Sequence, residues 1–208
     1  MNILIVDDHA IVRQGLRQIL LESSEAAAIG EAHSGSDAIR QIREGSWSVV
    51  ILDISLPDRN GIDILKQIKK ECPKTPVLMF SMHDEGLYAI RALKAGASGY
   101  LTKHSAPDEL MTAIRQVMRG RKYLTSTLAE AIADSLGVDH ERSPHEMLSE
   151  REYQTLCLIA SGKNLTTVAE EMRLSVKTVS VYRARLLEKM RLKNNAELTR
   201  YAIEKGLV

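Results

Sequence analysis

The sequence is short of the residues on which several kinds of protein depend. Aromatic side chains make up 4% of its 208 residues, too few for the stacking platforms that hold single-stranded nucleic acid. Two cysteines, Cys72 and Cys157, are present, so neither a thiolate zinc site nor a disulfide framework can be built from them. That usage fits a reducing compartment. No apolar run approaches the ~20 residues that cross a bilayer, and the opening MNILIVDDHA lacks the basic start and apolar core of a signal peptide. A cytoplasmic protein with no membrane partner is therefore expected. Net charge is nearly absent as well: 28 Lys and Arg against 27 Asp and Glu leave +1, which by itself advertises no polyanionic partner. What is present is 44% hydrophobic and 26% charged residues, the mix of a globular chain with a sizeable core in one or two domains.

The first 120 residues alternate short apolar runs with amphipathic stretches. Asn2–Val6, Ala27–Ala32, Val49–Leu52, Val77–Phe80 and Gly99–Leu101 read as strands. Ile11–Leu21, Ser36–Glu44, Ile62–Lys70, Tyr88–Ala95 and Asp108–Arg119 read as helices. Strands apolar throughout, separated by helix-length segments, imply a parallel sheet covered on both faces. The expected fold is a doubly wound five-stranded α/β domain. The rhythm stops after Gly120. Thr125–Leu136 suits one more helix, and the polar Gly137–Glu146 reads as tether, so residues 121–145 are taken as a linker. From 146 to 208 no strand is predicted. Ser149-Glu-Arg-Glu152 has the form of a capping box, and four short helices make a small all-α domain.

In an open parallel sheet, chemistry collects beyond the carboxyl ends of the strands. Those positions hold Asp7-Asp8, Asp53, Ser81 and Thr102-Lys103. Singly, an Asp there is most often a helix N-cap, a Lys a solvated charge and a Ser a turn residue. Together, at four of five strand ends, they suggest one site. Three converging acids need a cation, and oxygen-only ligands, with no His or Cys, favour Mg²⁺. Mg²⁺ and a lysine around one carboxylate suit a phosphoryl acceptor, because both offset charge on the phosphoryl oxygens. Asp53, after the most apolar strand, is the natural acceptor, and Ser81 can hydrogen-bond a phosphoryl oxygen.

The stretches IVDDH (5–9), VVILDISLPDRNG (49–61), MFSMHD (79–84) and KAGASGYLTK (94–103) closely resemble the receiver domain of bacterial two-component response regulators, a flavodoxin-like fold. The resemblance implies that Asp53 takes phosphate from a sensor histidine kinase. It implies that Asp8, Asp53 and the main-chain carbonyl of Ser55 hold Mg²⁺, with Asp7 acting through water. Lys103 would then pair with the phosphate, and Ser81 and Tyr100 would be the switch pair. Ser55 and His83, two positions beyond Asp53 and Ser81, lie where the family tunes phosphate lifetime. Many receivers follow the lysine with a cis proline, whereas this chain has His104.

Charge in the helical part is local. Between Met172 and Lys193, seven basic residues oppose Glu188 alone, 7 − 1 = +6, a plausible phosphate-binding surface. Val179, Leu186 and Met190 form an inward seam, while Lys177, Ser180, Val181, Ala184 and Arg185 fall largely off it. A short helix, a turn at 173–175 and a longer basic helix make a helix-turn-helix arrangement. On charge and period alone, a solvated face on an ordinary bundle stands beside DNA binding as a reading. Leu148–Met190 resembles a LuxR-type DNA-binding domain, the output of NarL/FixJ-type response regulators. Its markers here are Leu148-Ser-Glu-Arg-Glu152, Ile159-Ala-Ser-Gly162, Val168-Ala169 and Leu174–Val179. The DNA-binding candidates are Lys177, Thr178, Ser180, Val181, Arg183, Ala184, Arg185 and Lys189. Ser180, Tyr182 and Ala184 replace residues that are lysine, histidine and a basic residue in many members.

The expected whole is a phosphorylation-switched transcription regulator that binds double-stranded DNA as a homodimer when active, and is not an enzyme. Two other readings remain. The helical part could bind a protein instead of DNA, or the acids could serve a Mg²⁺-dependent phosphohydrolase. The second is disfavoured because Ser55 stands where such enzymes carry a second acid.

Overall fold

A computed structural model describes residues 1–82, 87–136 and 143–208 of the chain. Two compact units divide it, Met1–Leu136 and Gly137–Val208. The first contains β1 (Asn2–Val6), α1 (Ala10–Glu22), β2 (Ala28–Ala32), α2 (Gly35–Glu44) and β3 (Val49–Leu52). It continues through α3 (Gly61–Glu71), β4 (Val77–Ser81), α4 (Leu87–Lys94), β5 (Gly99–Thr102), α5 (Pro107–Met118) and α6 (Ser126–Leu136). All strand pairs are parallel, in the order β2-β1-β3-β4-β5. The inner strands β1, β3 and β4 are almost wholly buried, because helices cover both faces and neither row of side chains meets water. Ile3, Ile5, Val49, Ile51, Leu78 and Phe80 pack there with Leu16 and Leu20 of α1 and Leu110, Ile114 and Val117 of α5. Edge strand β2 is partly exposed.

Register decides where the chemistry falls. Val6 lies opposite Leu52, and Ser81 opposite Thr102, so Asp7, Asp53, Ser81 and Lys103 leave the sheet at one edge. Strand order reverses direction at β1, which opens a crevice beyond the strand ends. The loop after β3 is held by Gly61 NH donating to the Ile54 carbonyl at 2.7 Å, and Asn60 Oδ1 caps α3 by accepting from Ile62 NH at 2.9 Å.

The segment expected to be linker divides between the units. Residues 121–136 belong to the first unit. Tyr123 NH donates to the Ser98 carbonyl at 2.9 Å, forming a bridge to Gly99 at the edge of β5, and its hydroxyl bonds Glu109 Oε1 at 3.0 Å. Helix α6 packs on α4, with Leu128 fully buried. Residues 143–145 belong to the second unit, and 137–142 lie outside the described residues, as does His83.

The second unit opens with a single 3-10 turn, Pro144–Met147, followed by α7 (Glu150–Ala160), α8 (Leu165–Met172), α9 (Val176–Met190) and α10 (Asn195–Glu204). The capping box forms: Ser149 Oγ accepts from Glu152 NH, and the Glu152 carboxylate accepts from Ser149 NH at 2.8 Å. The 3-10 turn was not anticipated. It is fixed by His145, a buried side chain whose Nδ1 lies 2.8 Å from the Tyr201 hydroxyl on α10, a partnership between residues 56 apart that no local pattern discloses. Among the described residues, no helix is long and apolar enough to cross a membrane.

Candidate functional site

The acids converge. Asp7 and Asp53 are buried, as is Ser81. Their main chains are tied by the sheet: Asp53 NH donates to the Val6 carbonyl at 2.9 Å, and Lys103 NH to the Ser81 carbonyl at 2.7 Å. The Lys103 ammonium, itself 5% exposed, lies 2.5 Å from Asp7 Oδ2 and 2.9 Å from Asp53 Oδ2. The second Asp53 oxygen accepts from Ile54 NH at 2.7 Å. Burial pushes the Asp53 carboxyl above its ordinary range, the ammonium of Lys103 draws it back, and the charge of Asp7 adds to the rise. The physical sense is that two buried carboxylates side by side are neutralised only in part by one ammonium.

Asp8 completes the acidic set with His9 beside it. Ligand atoms of Asp7, Asp8, His9 and Asp53 all lie within 4.8 Å of one another. Hard carboxylate oxygens crowded at the mouth of a crevice suit Mg²⁺, so the residues fit that ion. Ser55 is half-buried two residues beyond Asp53, in a bridge with Asn60. Tyr100 is fully buried on β5, opposite Met79. Sequence reasoning singled out the acids, Ser81 and Lys103. It passed over His9, whose signal was its place directly after two aspartates at a strand end.

The candidate DNA-binding residues separate into two groups. Helix α9 buries Val179, Leu186, Leu187 and Met190. The opposite face exposes Lys177, Ser180, Val181, Ala184 and Arg185, with Val176 and Val181 exposed apolar residues on it. The remaining three candidates are engaged within the unit. Thr178 sits in the first turn of α9, where its NH donates to the Oγ of the capping residue Ser175 at 3.1 Å. Arg183 Nε donates to Asn195 Oδ1 at 2.5 Å, and Lys189 Nζ lies 2.6 Å from Glu152 Oε2 on α7. The turn between α8 and α9 passes through Arg173 in the left-handed region, φ 53°. Ser175 then starts α9, which presents its free face at the surface.

The chain matches the response regulator receiver domain over residues 3–115 and the luxR family of bacterial regulatory proteins over residues 146–202. It is 37% identical to "Response regulator UvrY" of Escherichia coli (strain K12) over 207 residues, covering 99% of this chain and 95% of that protein. It is 32% identical to "Response regulator GacA" of Pseudomonas aeruginosa over 208 residues, covering 100% of this chain and 97% of that protein. A solved structure of RcsB from Salmonella enterica serovar Typhimurium, bound to promoter rprA in the presence of phosphomimetic BeF3-, superposes with a TM-score of 0.65 at 27% identity, covering 97% of both chains.

Proposed function

We propose, because the chain belongs to the response regulators that join a receiver domain to a LuxR-family DNA-binding domain, that a phosphoryl group on Asp53 switches its hold on DNA. The chain is a DNA-binding transcription regulator. The observation that carries the switch is the Lys103 ammonium 2.9 Å from the buried Asp53 carboxylate, between further aspartates.

Asp53 Oδ2 is the attacking oxygen in this reading, and the donor is a sensor histidine kinase. Asp8, Asp53 and the Ser55 carbonyl would hold Mg²⁺, with Asp7 acting through water. Bound there, the ion would neutralise charge on the transferring phosphoryl oxygens. Lys103 is placed to pair with the new phosphate, exchanging one anionic partner for another. The buried Ser81 hydroxyl and Tyr100 ring follow as the switch pair, biasing an existing equilibrium. A homodimer on paired half-sites is the bound form. RcsB, the relative captured on a promoter with a phosphomimetic, supports the link between phosphate and DNA. The protein acts in the cytoplasm and turns over no external substrate.

Purified protein given Mg²⁺ and acetyl phosphate should gain one phosphoryl group by intact mass. Asp53→Ala should gain none; equal labelling of that variant would remove Asp53 as the acceptor.

A further inference from the structure

The loop between β3 and α3 is fastened at its base and again at its tip. At the base, Gly61 NH bonds the Ile54 carbonyl, Ser55 and Asn60 form a bridge, and Ile54 NH donates to Asp53 Oδ1. At the tip, Asp58 reaches across to α2. Its Oδ1 accepts from Gly35 NH at 2.8 Å, and its Oδ2 accepts from Ser36 NH at 2.8 Å and from Ser36 Oγ at 2.7 Å. Burial pushes the Asp58 carboxyl up, but these bonds outweigh it and hold the group below its ordinary range. A helix starts with amides that no internal carbonyl satisfies, and its positive end favours a carboxylate. Ordinary capping asks only for the residue just ahead of the helix. Ser34 fills that role here, accepting from Asp37 NH at 3.2 Å. The Asp58 carboxylate comes instead from 22 and 23 positions further along the chain, so its bonds order a loop as well as a helix end. Gly35 permits the approach: a Cβ there would lie 2.5 Å from Ile64 Cδ1 on α3 and 3.3 Å from Asp58 Oδ1.

We propose that Asp58 is a positioning residue for phosphate acceptance: by fastening the loop to the start of α2, it holds the Ser55 carbonyl in place for Mg²⁺. The inference rests on the proposal that Asp53 and Ser55 are ligands of that ion. Partners that orient a metal ligand commonly change metal affinity by about tenfold or more. Such coupling is reciprocal. If the fastened loop favours Mg²⁺, occupancy of the site must protect the Gly35 and Ser36 amides by the same factor. A carboxylate that served only to cap α2 would show no such dependence.

The test titrates the full chain with MgCl₂, by calorimetry and by the rate of acetyl phosphate labelling. The proteins compared are the unsubstituted chain, Asp58→Ala, Asp58→Asn and, by calorimetry, Asp53→Asn. Asp58→Ala should need about tenfold more Mg²⁺ for half-saturation and label at the same rate once Mg²⁺ saturates. Asp58→Asn keeps one acceptor oxygen and should fall between. In the unsubstituted chain, Mg²⁺ should slow hydrogen exchange of the Gly35 and Ser36 amides. That measurement needs no variant, so it decides even where Asp58→Ala folds poorly. Equal half-saturation in Asp58→Ala and the unsubstituted chain would overturn the role of Asp58. So would exchange at Gly35 and Ser36 that ignores Mg²⁺ while calorimetry shows the ion bound. Undiminished Mg²⁺ binding by Asp53→Asn would overturn the underlying site instead.

Discussion

A methyl group added at Gly61 would lie 2.0 Å from the carbonyl oxygen of Asp53, and neither side can yield cheaply, because the obstacle is main chain. The start of α3 lies directly against the strand end that presents Asp53. Gly61→Ala should therefore displace Asp53 and the turn carrying Ser55, at a cost of about 3 kcal/mol. The expected result is a lower midpoint in urea together with loss of acetyl phosphate labelling; a variant with normal stability and labelling would show that the contact is not confining. Other residues show what one-dimensional reading can and cannot reach. Asp53 was legible because strand ends are where parallel sheets place their chemistry. Lys189 was read as a DNA contact because charge is visible in a sequence, whereas its bond to Glu152, 37 residues away, is a property of helix packing.

That bond matters for whole elements. Glu152 has an almost wholly buried side chain, while Lys189 is 43% exposed, and the pair joins α7 to α9. Burial pushes the Glu152 carboxyl up, but the Lys189 ammonium and the hydrogen bonds of Ser149 outweigh it and hold the group below 4.5. A carboxyl lowered on folding contributes stability above its unfolded value, and loses it as pH falls through the folded one. Protection of α7 amides from hydrogen exchange should fall on acidification below about pH 4.5. Glu152→Gln should flatten that decline and cost about 1 kcal/mol near neutrality, a figure kept small by the exposure of Lys189. An undiminished acid response in the variant would assign the decline to other groups. At this scale the sequence was informative wherever local rules operate, as in the Ser149–Glu152 box. It predicted a helix over 125–136 but not that this helix joins the first unit, because the packing of α6 on α4 is a tertiary contact with no local signature.

Across the molecule, the charge of +1 conceals a division. Residues 1–120 sum to 14 − 15 = −1, residues 121–145 to 3 − 4 = −1, and residues 146–208 to 11 − 8 = +3. The basic surplus falls in the unit whose α9 exposes Lys177 and Arg185 beside Ser180, Val181 and Ala184. In the proposed DNA complex the small side chains would let the helix approach a groove, and the two cations would supply contacts. Arg185→Ala should weaken DNA binding, measured by fluorescence anisotropy over a salt series. A salt slope reduced by ~0.9 would identify a phosphate contact. An unchanged slope with ~1–3 kcal/mol less discrimination at one base pair would identify a guanine contact. Unaltered affinity and specificity would exclude this face from the interface. The two-part architecture was legible because periodicity changes from strand-and-helix to helix alone. The junction was not, because its outcome depends on hydrogen bonds to a strand edge.

The attachment at that junction has a protective side. A sheet in the order β2-β1-β3-β4-β5 leaves two open margins, and an uncovered strand margin is a template on which other chains can add. Tyr123, bridged to Gly99 and bonded to the Ser98 carbonyl, occupies part of one margin, with Lys122 reaching the Ala97 carbonyl beside it. The stretch that leads toward the DNA-binding unit thus also blunts an edge that would otherwise invite self-association through the main chain.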